Sequence, residues 1–551
     1  MNGSCRLQSR GPVQDGALYI ARAADPAAEA LLRGGGVCVV LGPPGSGKSS
    51  LRTRLARTLA AEGAAGAHLP LGKLPSATAG AFCLGLMQGL GRALNLPPLA
   101  PFFQRYAEQH PDERPDTAPI GRLEAFLREL VLGEGSGPVT LFFDDLDALS
   151  HACAEALCAA LHGLYTASEP APGLGRLSVC ITSTADPNDL SVPLPPAAER
   201  VFLSAFSRAE LAAFAPALAP LLRQFPDTGS ESEPGPQRSQ IESALLDAIY
   251  AWTGGQPYLT QHLCQQLVAR AGQTPLPADA APGDEPLRPE KQLERQIEKL
   301  VERLFPSSEV GDDPMLTDME RRLSTSPRAV ALLALWRRIW RGETVHAEIG
   351  DVVSRSLWLC GFSTDPQHSD GGRLGASSRI VSRVFDDEWA RTQEARLLLR
   401  AAVTAHTTSP EAVTGREPPP ALKGAALKTA QTWAVRHTEL LSAAETRALL
   451  TCLEAARQEA EGRHQSSATA LQRETRERSE LRSQWNRERE ELQAALQKSE
   501  RRTQALALVV MLLLVAGCAL SYVAARWRSS SSPHSQTSPA PSVITRSPAA
   551  S

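Results

Sequence analysis

A glycine-rich segment near the N-terminus constrains the fold of this chain more than any other feature. Residues 42–49 read Gly-Pro-Pro-Gly-Ser-Gly-Lys-Ser, a full match to the pattern G-x-x-x-x-G-K-[ST]. The apolar, β-branched run VCVVLG (37–42) precedes this segment, and an amphipathic helical pattern that stops at Gly63 follows it. In this strand–loop–helix context, the pattern predicts a phosphate-binding loop at the N-terminus of a helix.

The residue types in this loop, called the P-loop below, indicate what it binds. Its glycines let the backbone turn so that N–H groups face phosphate oxygens. Lys48 is expected to reach the β- and γ-phosphates of a nucleoside triphosphate, and Ser49 to offer its hydroxyl to Mg²⁺. We therefore expect ATP and Mg²⁺ as ligands; the alternative is a glycine-rich turn without a ligand. The predicted nucleotide-binding residues here are Gly42, Pro43, Pro44, Gly45, Ser46, Gly47, Lys48, Ser49 and Ser50.

A second apolar run, VTLFFDDLDAL (139–149), predicts a strand that ends in adjacent carboxylates. Asp144 is expected to hold the Mg²⁺ shell, through water, and Asp145 to orient or deprotonate the attacking water. About a hundred residues after a P-loop, such a strand end fits an ATP-hydrolysing site. The predicted catalytic residues are Lys48, Asp144 and Asp145, and the predicted Mg²⁺ ligands are Ser49 and Asp144.

Other strand-like runs extend this pattern. Residues 67–71 could form a further strand, and LSVCITST (177–184) predicts another one. At its polar end, Ser183 or Thr184 could contact the γ-phosphate or the attacking water, with a polar strand end or helix cap as the alternative. Asp147 is interpreted as a surface or capping residue. Strands that alternate with helices predict an α/β fold with a parallel sheet covered on both faces.

A Gly-Gly turn followed by proline interrupts two helical patterns at residues 254–257. The surrounding segment, DAIYAWTGGQPYLTQHLCQQLV, resembles bacterial AAA-like domain ATPases, a branch of the STAND signalling ATPases among the AAA+ P-loop NTPases. LYIARAAD (18–25), GKSSLRTRLARTL, TSTADPNDL (182–190) and SRIVSRVFDDEW (378–389) resemble other parts of the same family. The resemblance covers about residues 17–395.

The resemblance implies further properties. Pro257 would be a nucleotide-binding residue, because the Gly255-Gln256-Pro257 turn would pack near the base and couple a helical lid to the nucleotide. Tyr19 would lie close to the base as well. Asp145 stands where the family commonly has glutamate, which implies slow hydrolysis. Arg200 is the nearest candidate for an arginine finger, and we interpret it as a surface residue.

Composition shifts complete the predicted domain organisation, with polar loops at 226–240 and 274–290. Leu471, Leu481, Trp485 and Leu492 lie near a heptad seam that charged residues interrupt. The predicted domains are a P-loop ATPase core (17–225), a helical lid (241–272), a helical or winged-helix-like domain (291–395), a linker (396–428), a charged helical stalk or weak coiled coil (429–502), a transmembrane helix (503–525) and a disordered tail (526–551).

The transmembrane prediction rests on residues 503–525, which carry no charge. A helix of that length crosses the ~30 Å hydrocarbon layer, although a buried core helix is the alternative. Basic residues are more numerous before the segment than after it, which predicts a single-pass protein of the bacterial inner (cytoplasmic) membrane with its ATPase region in the cytoplasm. The N-terminal MNGSCRLQSRG has no apolar h-region, so we expect no signal peptide. The ten scattered cysteines suggest neither zinc nor disulfides.

Two functions from different classes remain open. A net charge of −3 and the lack of any protease triad signature or metal-ligand motif favour an ATP-binding, slowly hydrolysing regulatory switch anchored in the membrane. Its protein partners are unknown, and the family likeness allows a homo-oligomer. The alternative is a winged-helix ATPase linked to DNA, although the near-neutral charge argues against DNA as a partner. Its basic candidates are Arg321, Arg322, Arg328, Arg337, Arg338 and Arg341.

Overall fold

The structure is a computed structural model, and it describes most of residues 6–526. The ranges left out within that span are 112–118, 134–136, 168–170, 188–191, 197, 225–235, 272–287, 308–309, 349, 367–371, 409–421 and 437–440. The predicted tail (526–551), apart from Arg526, and most of the predicted loops at 226–240 and 274–290 lie outside the described residues. The chain divides into two compact units, Met1–Cys452 and Leu453–Ser551.

A five-stranded parallel sheet forms the centre of the first unit. The strands are β1 (Val37–Leu41), β2 (Ala65–Pro70), β3 (Val139–Asp144), β4 (Leu177–Ser183) and β5 (Ala198–Phe202). They are arranged in the order β2-β3-β4-β1-β5, and every neighbouring pair is parallel. This order places β1 between β4 and β5 and brings the carboxyl ends of β1, β3 and β4 to one edge. The predicted α/β fold with a parallel sheet is confirmed.

Helices follow the strands on both faces of the sheet. They are α1 (Ala24–Arg33), α2 (Lys48–Ala61), α3 (Ala79–Ala93), α4 (Leu99–Gln109), α5 (Pro119–Phe126) and α6 (His151–Thr166). Because successive strand residues point to opposite sides, β1 serves two cores. Val39 and Leu41 pack with α3, α5 and α6, whereas Cys38 and Val40 pack with α1 and α2. This explains why the strand reads as a continuous apolar run.

The edge strand β5 was not predicted from the sequence. Its residues, AERVF, are partly buried except for the exposed Glu199 and the buried Val201, and they include two charged side chains, so no apolar run marks the strand. It nevertheless pairs with β1 along its whole length. Arg200, the weak arginine-finger candidate, forms an ion pair of 3.3 Å with the buried Asp186 instead.

A helical region follows the sheet within the first unit. Its helices are α7 (Ala215–Leu222), α8 (Pro236–Thr253), α9 (Pro257–Ala271), α10 (Pro289–Leu304), α11 (Pro314–Thr325), α12 (Ala329–Trp340), α13 (Val352–Leu359), α14 (Arg379–Val384), α15 (Asp387–Thr408) and α16 (Gly424–Arg436). A two-stranded antiparallel sheet, β6 (Val345–His346) and β7 (Arg373–Leu374), accompanies them. The helical lid and the winged-helix-like domain stay predictions for this region.

Two boundaries differ from those predicted. α8 begins at Pro236, inside the segment interpreted as a loop, and α15 continues to Thr408, inside the segment interpreted as a linker from residue 396. Leu399 and Ala402 are fully buried, so the apolar face of α15 extends past the predicted domain end. Burial of that face favours helix over linker.

The predicted membrane span at residues 503–525 is wrong. These residues belong to α17 (Ala443–Arg526), and no helix in the described part of the chain combines the length and apolar character that crossing a membrane requires. The predicted single-pass location in the bacterial inner membrane rested on this span, so it is wrong as well.

The helix α17 also contains most of the predicted stalk. Leu471, Leu481, Trp485 and Leu492, which lie near the heptad seam, are exposed along the helix. Pairs of opposite charge four residues apart, such as Arg478 with Glu474 at 2.8 Å, line its surface. The alternatives of a solvated stalk and a weak coiled coil both remain predictions.

Candidate nucleotide-binding site

The P-loop connects β1 to α2 through two glycines with left-handed backbone conformations. Gly45 has φ of 70° and Gly47 has φ of 91°, values that residues with a Cβ rarely adopt. Gly47 directly precedes Lys48, the first residue of α2. The first N–H groups of this helix have no intrahelical acceptors and carry the positive end of the helix dipole, so the loop presents an anion-binding surface.

Lys48 is buried at the start of α2. Its Nζ donates to the carbonyl oxygens of Gly42 at 2.8 Å and Pro43 at 3.0 Å. Among the described residues, no carboxylate lies within ion-pair distance of Nζ. Burial lowers the pKa of Lys48 to about 8, an effect that the charge of Asp147 partly offsets. A buried ammonium that contacts only neutral carbonyls is well suited to bind an anion.

A cavity of about 680 Å³ lies against the loop and is called the P-loop cavity below. Nine of the predicted site residues line it: Pro44, Gly45, Ser46, Gly47, Lys48, Ser49, Ser50, Asp145 and Pro257. Gly42, Pro43 and Asp144 are not part of this lining, but the carbonyl oxygens of the first two accept hydrogen bonds from Lys48. The volume lies in the range of small-molecule and cofactor sites. The structure thus brings residues from distant parts of the sequence together around one space.

Part of the lining comes from an N-terminal segment, residues 6–18, that the sequence did not assign to the site. Val13 N–H donates to the Ser50 hydroxyl at 3.2 Å, and Gln8 N–H donates to Gln261 Oε1 at 3.1 Å. These contacts tie the segment to both α2 and α9. No local motif marks the segment, because its role depends on where the rest of the chain places those two helices.

Asp144 ends β3 at the carboxyl edge of the sheet, beneath α2. Its Oδ1 accepts a hydrogen bond from the Thr182 hydroxyl at 3.1 Å, and its Oδ2 lies 2.8 Å from Arg52 Nε and 3.1 Å from His68 Nε2. Burial raises the pKa of Asp144, but the hydrogen bond from His68 and the charge of Arg52 outweigh it, so the pKa is lowered overall. Asp144 is therefore held as a carboxylate.

Asp145 turns the chain towards the P-loop cavity. Its backbone is left-handed, with φ of 63°, and its N–H donates to Thr182 Oγ1 at 3.2 Å. Although its side chain is largely accessible to solvent, the surrounding protein and then the charges of Asp147 and Asp144 raise its pKa. A carboxylate that holds its proton more readily is a better base than an ordinary aspartate.

Asp147 is not a surface residue, contrary to the interpretation from the sequence. Its side chain is 5% exposed and joins three elements. It accepts hydrogen bonds from the Thr184 N–H at 2.8 Å, the Thr184 hydroxyl at 2.6 Å and the Ser183 hydroxyl at 3.1 Å. It also forms an ion pair with Arg322 of α11. These partners lower the pKa of Asp147 despite its burial.

Arg322 reaches the P-loop cavity from the helical region. It lines the cavity together with Asp318, to which its Nε donates at 2.7 Å, and Met315. From the sequence, Arg322 was predicted only as one of several basic residues in a stretch that could contact DNA. Its partner Asp147 lies 175 positions away in the chain, so no local pattern could have identified the pair.

The Gly-Gly-Gln-Pro turn contacts the P-loop directly. Gln256 Nε2 donates to the Pro44 carbonyl at 2.9 Å, and Pro257 is the first residue of α9. A Cβ added at Gly45 would lie 2.6 Å from Gln256 Nε2, so the two loops are in close contact. The role that the family resemblance implies for Pro257, close to the base, stays a prediction.

Comparison with known protein families identifies the domain that contains this site. Residues 22–170 match the model of a family described as the AAA ATPase domain. This range contains the P-loop, Asp144, Asp145 and Asp147. The chain carries an AAA ATPase domain. The matched range ends at residue 170, so Gln256 and Arg322 reach the site from outside it.

Individual relatives are distant. An uncharacterised WD repeat-containing protein of Synechocystis sp. is 25% identical over 387 residues, which are 67% of this chain but 29% of that protein. This chain therefore spans less than a third of that relative's length. Among solved structures, a Walker-type ATPase of Pyrococcus abyssi matches 69% of this chain and 99% of its own, with 13% identity and a TM-score of 0.38. A RuvB mutant of Thermotoga maritima matches 65% and 93%, with 13% identity and a TM-score of 0.30.

P-loop ATPases normally bind ATP with Mg²⁺, and the residues of this AAA domain fit both. The buried Lys48 and the backbone of the P-loop suit a triphosphate. Ser49 lies half-buried in the first turn of α2, and Asp144 is held as a carboxylate at the strand end. Ser49 and Asp144 would hold the metal, which would neutralise charge on the phosphates.

Two residues of the segment before α1, Tyr19 outside the matched range and Arg22 within it, have contacts that bear on the site. Arg22 is buried, and its Nη1 donates to the carbonyl oxygens of Ser46 at 2.8 Å and Ser204 at 3.0 Å. Tyr19, which the resemblance places close to the base, donates its hydroxyl to Asp25 and lies 5.0 Å from the Arg54 guanidinium. The segment LYIARAAD therefore positions the P-loop through Arg22, a role that its local sequence did not reveal.

Gly255→Ala is expected to destabilise the first unit by about 2 kcal/mol or more. A Cβ at this position would lie 2.0 Å from the Phe206 carbonyl oxygen, and φ is 72°. The measurement is the urea-unfolding midpoint of the full chain. Gly63→Ala is the matched control, because Gly63 has φ of 90° but open space around it, so only about 1 kcal/mol of backbone strain is expected there. Equal midpoints for the two variants would contradict the close packing of the turn.

Proposed function

We propose that this chain is an ATP-binding, slowly hydrolysing regulatory switch of the STAND type. In this switch, the contacts of the helical region depend on the nucleotide bound to the AAA domain. The observation that carries the proposal is the ion pair between Asp147 and Arg322. It joins the loop after β3, next to the predicted catalytic carboxylates, to α11 of the helical region. A switch requires such an element, one whose contacts depend on the bound nucleotide.

The position of Arg322 supports a nucleotide-dependent contact. Lys48, Asp145, Thr184 and Arg322 line the same cavity, so the guanidinium lies among the residues expected around the γ-phosphate. A γ-phosphate carries more charge than the single carboxylate that Arg322 contacts in this structure. We expect ATP to draw Arg322 away from Asp147, and loss of the γ-phosphate to restore the pair.

A second contact supports the same proposal. Gln256 links the Pro44 carbonyl of the P-loop to α9, and Tyr258 of α9 donates its hydroxyl to Asp313 Oδ2 at 2.7 Å. Asp313 caps α11 by accepting from the N–H groups of Met315 and Leu316. The P-loop and α11 are therefore connected through α9 as well as through Arg322, which gives the helical region two routes to the nucleotide site.

The alternative function, a DNA-linked ATPase, is not favoured by the surface of α11 and α12. Arg337 pairs with Glu394 at 2.8 Å, Arg338 pairs with Glu343 at 3.0 Å, and Arg341 lies 3.4 Å from an oxygen of Asp387. Arg321 and Arg322 both contact Asp318. A basic stretch whose charges are matched by neighbouring carboxylates has little net attraction for phosphate backbones.

Asp145→Asn is expected to abolish ATP hydrolysis and leave ATP affinity within about threefold of the unsubstituted chain. The amide cannot accept the proton of the attacking water, whereas the P-loop contacts are unchanged. Single-turnover hydrolysis and equilibrium binding of ATP, measured on the full chain, separate the two effects. Turnover in the unsubstituted chain should lie well below the enzyme median of about 10 s⁻¹. Fast turnover with rapid nucleotide release would contradict a switch.

A further inference from the structure

Asp144, a predicted magnesium ligand, forms a buried ion pair with Arg52. Arg52 lies on α2, three residues after Ser49, and its Nε is 2.8 Å from Asp144 Oδ2. The Arg52 side chain is 11% exposed and that of Asp144 is 9% exposed. Solvent and salt therefore screen this pair less than they screen pairs on the surface.

Asp144 also has two hydrogen-bonding partners. His68 Nε2 lies 3.1 Å from Oδ2, and the Thr182 hydroxyl donates to Oδ1 at 3.1 Å. Three protein groups from α2, β2 and β4 thus surround a carboxylate that would have to accept from the hydration shell of Mg²⁺. A Mg²⁺ ion keeps several of its waters and depends on one or two carboxylates to hold them.

We infer that Arg52 competes with Mg²⁺ for Asp144 and thereby sets the divalent-ion requirement of the site. Its guanidinium neutralises the charge that would attract the metal, and its like charge opposes a cation brought close to it. ATP would bind with its phosphates on Lys48 and the P-loop at Mg²⁺ concentrations too low to fill the metal position. Metal entry, which requires Asp144 to exchange Arg52 for the metal's water, becomes a separate step.

This inference concerns nucleotide and metal binding only, so it does not depend on the proposed switch. Removing the charge of Arg52 leaves Asp144 with His68 and Thr182 as partners, so the carboxylate would not be left unpaired. A neutral variant at position 52 is therefore expected to fold.

The test compares the Mg²⁺ dependence of ATP affinity in four full-length proteins: the unsubstituted chain, Arg52→Met, Arg52→Lys and Arg57→Met. Arg57 is on the same helix and pairs with Asp15 at 2.6 Å on the surface, which makes it a matched control. We expect Arg52→Met to lower, by about tenfold, the Mg²⁺ concentration that gives half of the full change in ATP affinity. Arg52→Lys retains the charge, and Arg57→Met leaves Asp144 untouched, so both should stay within about twofold of the unsubstituted chain.

The readout is equilibrium binding of ATP at fixed ionic strength, with Mg²⁺ varied and thermal unfolding recorded for each protein. Equal Mg²⁺ dependence in Arg52→Met and the unsubstituted chain would overturn the inference. The same shift in Arg52→Met and Arg52→Lys would also overturn it, because packing and not charge would then be responsible. ATP affinity that does not respond to Mg²⁺ in any of the four proteins would overturn it too.

Discussion

Replacing Lys48 with alanine is expected to weaken ATP binding by about a hundredfold or more. The ammonium is buried, contacts only two carbonyl oxygens of the P-loop and faces the P-loop cavity. Its truncation removes a charge-assisted contact to the phosphates and leaves two carbonyls without a donor, each of which costs about 1–3 kcal/mol. Isothermal titration calorimetry with the full chain measures the affinity.

Lys73→Ala provides the control for this substitution. Lys73 belongs to the same AAA domain but is exposed and lies outside the P-loop cavity. The Lys73→Ala variant should therefore bind ATP with unchanged affinity. ATP binding that survives Lys48→Ala undiminished would falsify the P-loop assignment. An equal loss in both variants would indicate a general effect of lysine charge and not a specific phosphate contact.

Arg322→Ala is expected to remove most of the preference for ATP over ADP, lowering the affinity for ATP by about tenfold and leaving that for ADP nearly unchanged. The guanidinium lines the cavity beside Asp145 and Thr184 and is expected to contact only the γ-phosphate. A hydrogen bond to a charged group contributes about 1.5–3 kcal/mol, and the lower end of that range corresponds to a loss of about tenfold. Paired titrations with ATP and ADP measure it.

Arg321→Ala is the matched control, because Arg321 is the preceding residue, also contacts Asp318, and is exposed. It should leave the ratio of the two affinities unchanged. Asp147→Asn separates the two states of the arginine: it removes the competing carboxylate, so ATP affinity should rise in this variant. If Arg322→Ala lowered the affinities for ATP and ADP alike, the arginine would have a structural role. That result would contradict its proposed contact with the γ-phosphate.

The parts of the site that sequence could predict are those that local patterns determine. The spacing of Gly42, Gly47 and Lys48 between a strand and a helix defines a P-loop with little ambiguity, because this backbone path needs glycine at fixed positions. The apolar run before Asp144 likewise marks a buried strand. Parallel pairing then places the ends of β1, β3 and β4 at one edge, which is why the catalytic candidates are adjacent in the structure.

The parts that sequence missed depend on contacts between distant segments. No role was predicted for Arg52, and Asp147 was interpreted as a surface or capping residue, because nothing local indicates their partners. Arg322 was grouped with neighbouring arginines by charge alone. In each case an ion pair across the fold, with Asp144 or Asp147, determines what the residue does. Composition alone also suggested a membrane span that the described helices do not contain.

The most direct test of the switch is hydrogen–deuterium exchange of α11 in the full-length Asp145→Asn variant, in which bound ATP should persist. Peptides that cover Pro314–Thr325 are compared with ATP and with ADP, while peptides from α2 report that nucleotide is bound. The proposal predicts that exchange in α11 differs by about threefold or more between the two nucleotides, and that Arg322→Ala abolishes the difference. Identical exchange in α11 with ATP and ADP, while α2 is protected by both, would contradict the proposal.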